Sequence, residues 1–417
     1  MSIPPKADRR AALLLRRVDS ALRTVLATAG GESPERLPAD VTAHNVLMTI
    51  LRRRATLDWL IDRGSSGRTR DRVRRVLWWA LAEALFLDGL PVPVIVDTAV
   101  EDIKAESRGE GAFVNALLRR VLAPGREAVL AAVVAEAPPW VRLDLGQALY
   151  EAWQSRLTAA DLAALAAVLQ EPAGLVVRHR RDADASGVAG VERLPAVDWA
   201  PDAVLYRCTD AAAFFASPAW ARRAFYVQDA STLLAPALLA ARAGERVADL
   251  CCAPGGKSLL LSEAVGGSGT VVCVDRSAAR MERVRENLTG ATNVRLLVAD
   301  ACQVPLDDAE FAAVLLDVPC SNTGVVRRRP DVRWHFSAAG RDELAAGQGR
   351  ILEAAARLVC PGGRLVYSTC SLEPQENGAV VGAFLGAHAE FALDRERQLL
   401  PCREYDGAYA ARLVRRS

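Results

Sequence analysis

The chain has 417 residues, 51% hydrophobic and 24% charged, which is ordinary for a globular protein of two or three domains. It has no run of 18 apolar residues, so no membrane span is predicted, and its first ten residues lack the apolar segment of a secretory signal. Nine scattered cysteines without Cys-x-x-Cys spacing argue against a disulfide framework or a zinc site, and the four histidines show no metal-ligand spacing. We therefore expect a cytoplasmic protein that binds no metal.

The charge is unevenly distributed. Residues 1–75 hold 16 Lys and Arg against 8 Asp and Glu, a balance of +8, so the remainder of this chain of net charge +2 carries −6. A basic region suits a polyanionic partner, although by charge alone a solvated, arginine-rich helix face is the simpler explanation. Lysine is rare, at three residues, and Lys257 lies inside a glycine loop. Because arginine occupies most other basic positions, a lysine here favours a function that requires an ammonium group and not a guanidinium.

Apolar residues recur at helical spacing through residues 1–145, which predicts a small all-α bundle. Residues 146–225 begin with further helical segments and continue with short strand candidates at 173–181, 190–196 and 203–208. This middle part is predicted to be a small α+β connector.

From residue 226, continuous apolar strands alternate with helices, which predicts a parallel sheet covered on both faces. The predicted strands are 246–252, 269–275, 293–300, 311–318 and 363–370. Ligands of such sheets bind at the carboxyl ends of the strands. Five polar or thiol side chains fall at or just after those ends, and we expect them in one cleft: Cys252, Asp275, Asp300, Asp317 and Cys370.

The segment "ADLCCAPGGKS" leads from a predicted strand into a helix through two glycines, Gly255 and Gly256. It matches neither the dinucleotide fingerprint nor the P-loop, and it favours a nucleoside-like cofactor held against a helix N-terminus. Asp275 is placed to bind ribose hydroxyls, or alternatively to cap the following helix. Asp300 could bind an adenine edge or could be a turn aspartate.

Three segments, "DLCCAPGGKS", "DVPCSNTGVVRRRPDVRW" and "YSTCSLEPQEN", resemble the RNA 5-methylcytosine methyltransferases of the NOP2/Sun family. The helical first third, with "FVNALLRRVL", is similar to the NusB-type RNA-binding domain of the RsmB-like members, and "YVQDAS" and "LLPCREYDGAYAARL" also match. The resemblance implies a NusB-like domain at 1–145, a connector at 146–225 and a Rossmann-like methyltransferase domain at 226–417.

The resemblance also implies a cofactor and site roles. The cofactor would be S-adenosylmethionine, and Cys370 would be the nucleophile that adds to carbon 6 of cytosine, with Cys320 assisting product release. Asp317 would border both cofactor and base, while Lys257 would either lower a thiol pKa or orient the base. The implied cofactor-binding residues are Cys251, Cys252, Ala253, Pro254, Gly255, Gly256, Lys257, Asp275, Asp300 and Asp317.

Cations beside an aromatic residue in "RRRPDVRW" suit phosphates and a splayed base, although a structural role for Trp334 is nearly as plausible. The implied RNA contacts are Arg327, Arg328, Arg329, Arg333 and Trp334. The chain departs from the usual family loops at Val318 and Asn322, where alanine and glycine are usual, and at Cys252, where alanine is usual.

We therefore expect a monomeric enzyme, free of membrane, that forms 5-methylcytosine in small-subunit (16S) ribosomal RNA through a Cys370 adduct. The same chemistry on transfer RNA is the second interpretation. A non-catalytic RNA-binding assembly factor is a third, which the joint presence of Lys257, Asp317, Cys320 and Cys370 disfavours. An exocyclic amine methyltransferase would have no use for two cysteines, and a nicotinamide dehydrogenase would require the missing GxGxxG.

Overall fold

A computed structural model describes residues 8–27, 40–65 and 67–417. The chain divides into two compact units, which we call the helical unit (Met1–Gln170 with Arg329–Ser337) and the α/β unit (Glu171–Arg328 with Ala338–Ser417). Within the described ranges, no helix is both long and apolar enough to cross a membrane.

The helical unit packs amphipathic helices around one apolar core, as the sequence periodicity predicts. Leu77, Trp79 and Leu81 of its third helix are fully buried, and Asp40 caps the second helix by accepting a hydrogen bond from Ala43 N. Its described helices are α1 (Arg9–Ala27), α2 (Val41–Gly64), α3 (Asp71–Phe86), α4 (Val92–Lys104), α5 (Arg108–Leu122), α6 (Arg126–Glu136), α7 (Pro139–Arg142), α8 (Gln147–Gln154) and α9 (Ala159–Gln170).

The extent of the helical unit differs from the predicted boundary at residue 145. The helices α8 and α9 belong to this unit, and their Trp153 and Leu169 are fully buried. Residues 329–337, which carry the short helix α15 (Val332–His335), also pack within it. The predicted bundle includes residues 1–7, 28–39 and 66, which lie outside the described residues.

The α/β unit begins with a small antiparallel sheet in the order β2-β3-β1-β4. Its strands and the two helices beside them are β1 (Val176–His179), β2 (Val191–Arg193), β3 (Leu205–Cys208), α10 (Ala211–Phe215), α11 (Pro218–Ala221) and β4 (Phe225–Val227). Arg178 on β1 is buried and forms an ion pair with Glu263 at 2.9 Å. Glu263 lies on a helix that covers the seven-stranded sheet described below, so this ion pair connects the small sheet with the larger one.

The large sheet has seven strands in the order β10-β11-β9-β8-β5-β6-β7. The pairs from β9 to β7 are parallel, whereas β11 pairs antiparallel with both β9 and β10. The strands are β5 (Arg246–Leu250), β6 (Thr270–Asp275), β7 (Val294–Val298), β8 (Phe311–Asp317), β9 (Val359–Thr369), β10 (Phe391–Leu399) and β11 (Ala408–Arg415). The covering helices are α12 (Leu234–Leu239), α13 (Gly256–Val265), α14 (Ala278–Asn287), α16 (Ala338–Ala356) and α17 (Gly378–Ala387). The predicted α/β fold with a parallel core is confirmed.

Both faces of the large sheet are buried, which explains its continuous apolar strands. On β8, Val314 and Leu316 pack into one core cluster, while Ala313 and Leu315 pack into another. The chain proceeds from β5 to β7 on one side and from β8 to β9 on the other, so the order reverses between β5 and β8. Ligands of such sheets bind at the carboxyl ends of the strands that flank this reversal.

Candidate active site

A cavity of about 390 Å³ opens at the carboxyl ends of β5, β8 and β9. Its walls combine the loop after β5 with Asp317, Cys370, the end of the small sheet and the turn before β11. Six predicted cofactor-loop residues line it, namely Cys251, Cys252, Ala253, Pro254, Gly256 and Lys257. The tertiary structure therefore brings the two ends of the predicted cleft, the glycine loop and the cysteine of β9, into one cavity.

The loop between β5 and α13 can hold a ligand closely. Gly255 has φ of 101°, a conformation that glycine adopts without strain, and it ends the loop just before α13. A β-carbon on Gly256 would lie 2.8 Å from the ring of Tyr226, so glycine is required where the loop meets this cavity wall. The first N–H groups of an α-helix such as α13 have no partner within the helix, so they can bind a polar ligand.

Asp249, on β5, is a cavity residue that the sequence analysis missed. Its Oδ2 accepts a hydrogen bond from Ser258 Oγ at 2.5 Å, but its buried Oδ1 has no partner among the described residues. Burial raises the pKa of Asp249 to about 7. An unpartnered carboxyl oxygen on a residue that lines the cavity fits the amino group of a ligand such as the methionine part of S-adenosylmethionine.

The two other predicted cofactor acids lie at neighbouring strand ends but do not line this cavity. Asp275 ends β6, is 3% exposed, and accepts hydrogen bonds from Ser277 N at 3.0 Å and Ala253 N at 3.3 Å. Asp300 is exposed and caps a short 3₁₀ helix by accepting from Cys302 N at 2.8 Å. Asp300 thus has the local turn role that the sequence left as an alternative, whereas Ser277 and not Asp275 caps the helix α14. The ribose and adenine contacts of the two acids stay predictions.

A short ion pair lies at the floor of the cavity. Lys257 Nζ is 2.6 Å from Asp317 Oδ2, and Ser368 Oγ donates to Asp317 Oδ1 at 2.7 Å. Burial lowers the pKa of Lys257, but Asp317, Asp249 and Cys370 together raise it above the usual value. Lys257 is therefore a fixed cation at neutral pH, and it holds Asp317 in one orientation.

The two predicted catalytic cysteines meet. Cys320, just beyond β8, and Cys370, just beyond β9, have their sulfur atoms 3.3 Å apart. Cys370 lines the cavity, whereas Cys320 is 7% exposed and lies behind it. The hydrogen bond with Cys370 and burial raise the pKa of Cys320 well above its usual value. Burial and nearby carboxylates likewise raise the pKa of Cys251, another cavity residue, to about 12.

Asn322 sits in the left-handed conformation, with φ of 60° and ψ of 22°. This explains why an asparagine can replace the usual glycine, because these two residues tolerate that conformation best. Its Oδ1 accepts a hydrogen bond from the Cys370 thiol at 3.2 Å, and its Nδ2 donates to Cys320 O at 2.9 Å. Asn322 thus contacts both cysteine segments.

Two of the predicted RNA contacts, Arg333 and Trp334, have partners inside the helical unit. Arg333 is 1% exposed, and its guanidinium donates to the carbonyl oxygens of Arg52, Asp144 and Leu169 inside the helical unit. Trp334 donates to Leu51 O at 2.8 Å and packs against the helical core. Both side chains are therefore held within the helical unit, and their RNA contacts stay predictions.

The three other predicted RNA contacts in "RRRPDVRW", Arg327, Arg328 and Arg329, also have partners within the protein. Arg327 is 3% exposed and donates to Cys402 O, and Arg329 forms an ion pair with Asp331 at 3.2 Å. Arg328 alone of the five predicted contacts lines the cavity. It is held there by Asp229, at 2.7 Å, and by Asp406.

Asp229 and Asp406 belong to "YVQDAS" and "REYDG", which the sequence analysis matched to the family without assigning roles to their residues. Asp406 N donates to Asp229 Oδ1 at 3.1 Å, which joins the two segments directly. Burial raises the pKa of Asp406 to about 6. Within the described ranges, no cluster of three or more His, Cys, Asp or Glu side chains is arranged to hold a metal ion.

Comparison with known proteins places this site in a family. A family profile described as "16S rRNA methyltransferase RsmB/F" matches residues 236–411, and the NusB family profile matches residues 9–123. A ribosomal RNA small subunit methyltransferase B from Shigella sonnei is 32% identical over 391 residues, covering 88% of each chain. The chain belongs to the ribosomal RNA small subunit methyltransferase B family. The Erwinia tasmaniensis member is 41% identical over 200 residues, which span 45% of this chain and 46% of that relative.

A solved structure has a similar fold along nearly the whole chain. The crystal structure of PH0851 superposes with a TM-score of 0.75 at 23% identity and covers 99% of both chains. A methyltransferase homologue from Pyrococcus horikoshii gives a TM-score of 0.57 at 24% identity and covers 66% of this chain and 97% of that one. At these identities, the superpositions establish the fold.

Proposed function

We propose that the protein transfers a methyl group from S-adenosylmethionine to carbon 5 of a cytosine in small-subunit (16S) ribosomal RNA. The main support is the pair of sulfur atoms 3.3 Å apart, of which Cys370 faces the cavity beside Lys257 and Asp317. This arrangement suits two thiols that act in turn on one base. The ribosomal RNA substrate is proposed from the curated relatives and from the NusB match.

The glycine loop and Asp249 would hold S-adenosylmethionine, which would supply an electrophilic methyl group. Carbon 5 of cytosine is a weak nucleophile, and Cys370 overcomes this by covalent catalysis. Its thiolate forms a bond to carbon 6, and the electron pair released towards carbon 5 makes that carbon nucleophilic. Lys257 and Cys370 line the same cavity, so the Lys257 ammonium would be the cation beside the attacking sulfur atom.

Asp317 would orient the base, because Lys257 and Ser368 already fix its carboxylate. Once carbon 5 carries the methyl group, its proton must leave. Cys320, once it has released its own proton to solvent, is the proposed acceptor of the proton from carbon 5. The electron pair of the broken carbon–hydrogen bond then forms the double bond between carbons 5 and 6, and the bond between Cys370 and carbon 6 breaks to restore the thiolate. Since contact with Cys370 is the main cause of the raised Cys320 pKa, bond formation by Cys370 would make Cys320 easier to deprotonate.

The proposal is tested with wild type, Cys370→Ala and Cys320→Ala proteins incubated with S-adenosylmethionine and protein-free small-subunit ribosomal RNA. We expect Cys370→Ala to form neither a denaturation-resistant protein–RNA adduct nor 5-methylcytosine. Cys320→Ala should accumulate the adduct, because its first step is intact and its release step is not. Denaturing gels detect the adduct, and sequencing after chemical conversion maps the modified base.

Cys360→Ala is the matched control, since this cysteine lies on β9 outside the cavity lining, and it should behave as wild type. Methylation by Cys370→Ala would show that another group is the nucleophile. If the wild type binds S-adenosylmethionine but leaves this RNA unmodified, the substrate assignment fails while the cofactor assignment stands.

A further inference from the structure

Glu376 follows Cys370 by six residues and is completely buried. Its carboxylate accepts hydrogen bonds from Ser321 N at 2.8 Å, Ser371 Oγ at 2.6 Å and Gln348 Nε2 at 3.0 Å, and also from Ser321 Oγ. A buried carboxylate is costly unless such donors satisfy it. The site described above assigns no role to this cluster.

The partners of Glu376 lie beside the two catalytic cysteines. Ser321 directly follows Cys320, and Ser371 directly follows Cys370. The last register pair of the parallel strands β8 and β9 is Asp317 with Ser368, so both cysteines lie beyond the strand ladder. Glu376 therefore joins the two segments where the sheet no longer does.

The two cysteine segments depend on Glu376 to different degrees. The Cys370 segment continues directly from β9, which pairs with β11 as far as Thr369. Glu376 belongs to this same segment and reaches across to Ser321 in the other. Gln348 on α16 supports the same connection, because its Nε2 also donates to Pro319 O at 2.9 Å.

We propose that Glu376 is a positioning residue that holds Cys320 at its working distance from Cys370. This inference rests on the proposed function, since it requires separate steps for the two thiols. Loss of the Glu376 carboxylate would free the Cys320 segment more than the Cys370 segment. The release step would then suffer more than adduct formation.

The test measures both steps in Glu376→Gln. Glutamine keeps the size of the side chain but places an NH₂ group where one carboxylate oxygen now accepts hydrogen bonds. We expect product release to slow by about 10–100-fold, the factor that corresponds to loss of a charge-assisted hydrogen bond. The adduct should accumulate as in Cys320→Ala, while the rate of adduct formation and the Kd for S-adenosylmethionine stay within about threefold of wild type.

Ser321→Ala is the milder variant, since it removes one donor and leaves the carboxylate with the other three. It should accumulate the adduct to a smaller extent, and it keeps the test valid if Glu376→Gln does not fold. Glu83→Gln, which alters a buried glutamate of the helical unit, is the matched control and should leave the ratio of the two rates unchanged.

Equal slowing of adduct formation and release in Glu376→Gln and Ser321→Ala would overturn the inference, because it would indicate a general loss of folded protein. If Cys320→Ala traps the adduct while both other variants keep the wild-type ratio, the inference about Glu376 fails by itself. If Cys320→Ala traps nothing, the proposed function fails, and the inference fails with it.

Discussion

At the scale of single residues, Asn322 shows how a departure from a family pattern can be tolerated. The backbone there is left-handed, which disfavours most side chains, and asparagine is among the few exceptions. The carboxamide also contacts both cysteine segments. The substitution therefore preserves the loop shape while it changes the surroundings of Cys370.

This explanation can be tested by comparing Asn322→Gly with Asn322→Ala. Both variants lose the two side-chain hydrogen bonds, but only alanine is strained at φ of 60°. We expect the alanine variant to be less stable than the glycine variant by about 1 kcal/mol in its free energy of unfolding. Urea denaturation measures the difference, and equal stabilities would contradict the assigned backbone strain.

At the scale of elements, three chain segments meet without side chains between them. Gly324 N donates to Cys370 O at 2.9 Å, and Gly407 N donates to Gly324 O at 2.8 Å. The segment after β8, the end of β9 and the turn before β11 are thereby linked through their backbones. Any side chain at Gly324 would force them apart, since its β-carbon would lie 2.6 Å from Cys370 O.

We expect Gly324→Ala to reduce the free energy of unfolding by about 1–3 kcal/mol and to lower methyl transfer, because the crowded atoms are backbone atoms of the site. Gly349→Ala on α16 is the control, since a β-carbon there meets nothing within 4 Å. It should instead stabilise the helix by about 0.5–1 kcal/mol. The urea denaturation midpoints of the two variants measure this difference. Similar midpoints would mean that the backbone around Gly324 can move to accept a β-carbon without loss of stability.

At the scale of the whole molecule, each unit has its own core and its own buried charges. The helical unit buries Glu83 on α3 to 2% exposure, and burial raises the pKa of this carboxyl from its usual 4.5 to about 7. The folded state then binds a proton more tightly than the unfolded chain does. The associated stability is complete below pH 4.5 and is lost as the pH rises through 7.

Glu83→Gln should remove this dependence. Relative to the variant, we expect the wild type to lose up to about 3 kcal/mol of unfolding free energy between pH 4.5 and a pH above 7. The fluorescence of the buried Trp78 and Trp79 on the same helix reports the unfolding of this unit. If the free energies of unfolding of the two proteins change in parallel across this pH range, the raised pKa of Glu83 is refuted.

Much of the site could be predicted from local sequence, because its key residues follow apolar strands whose carboxyl ends must share one edge of a parallel sheet. This principle predicts from the sequence alone that Asp317, Cys370 and the glycine loop lie in one cleft. The hairpin of β10 and β11 was not predicted, since the β10 segment "DRERQ" is polar and lies on an edge strand. Asp249 was missed because a buried aspartate within an apolar strand gives no periodic signal.

The sequence by itself determined the order of the elements, the strand-end cysteines and the family motifs, since each depends on residues close together in the chain. The tertiary structure decided which side chains are partners across long separations. Arg333 follows the cysteine loop in sequence, yet its guanidinium is satisfied by carbonyl oxygens of the helical unit more than 160 residues away. Glu376 and Ser321 are likewise 55 residues apart and meet because β8 and β9 are neighbours. Such pairings follow from sheet order and burial, which no local pattern encodes.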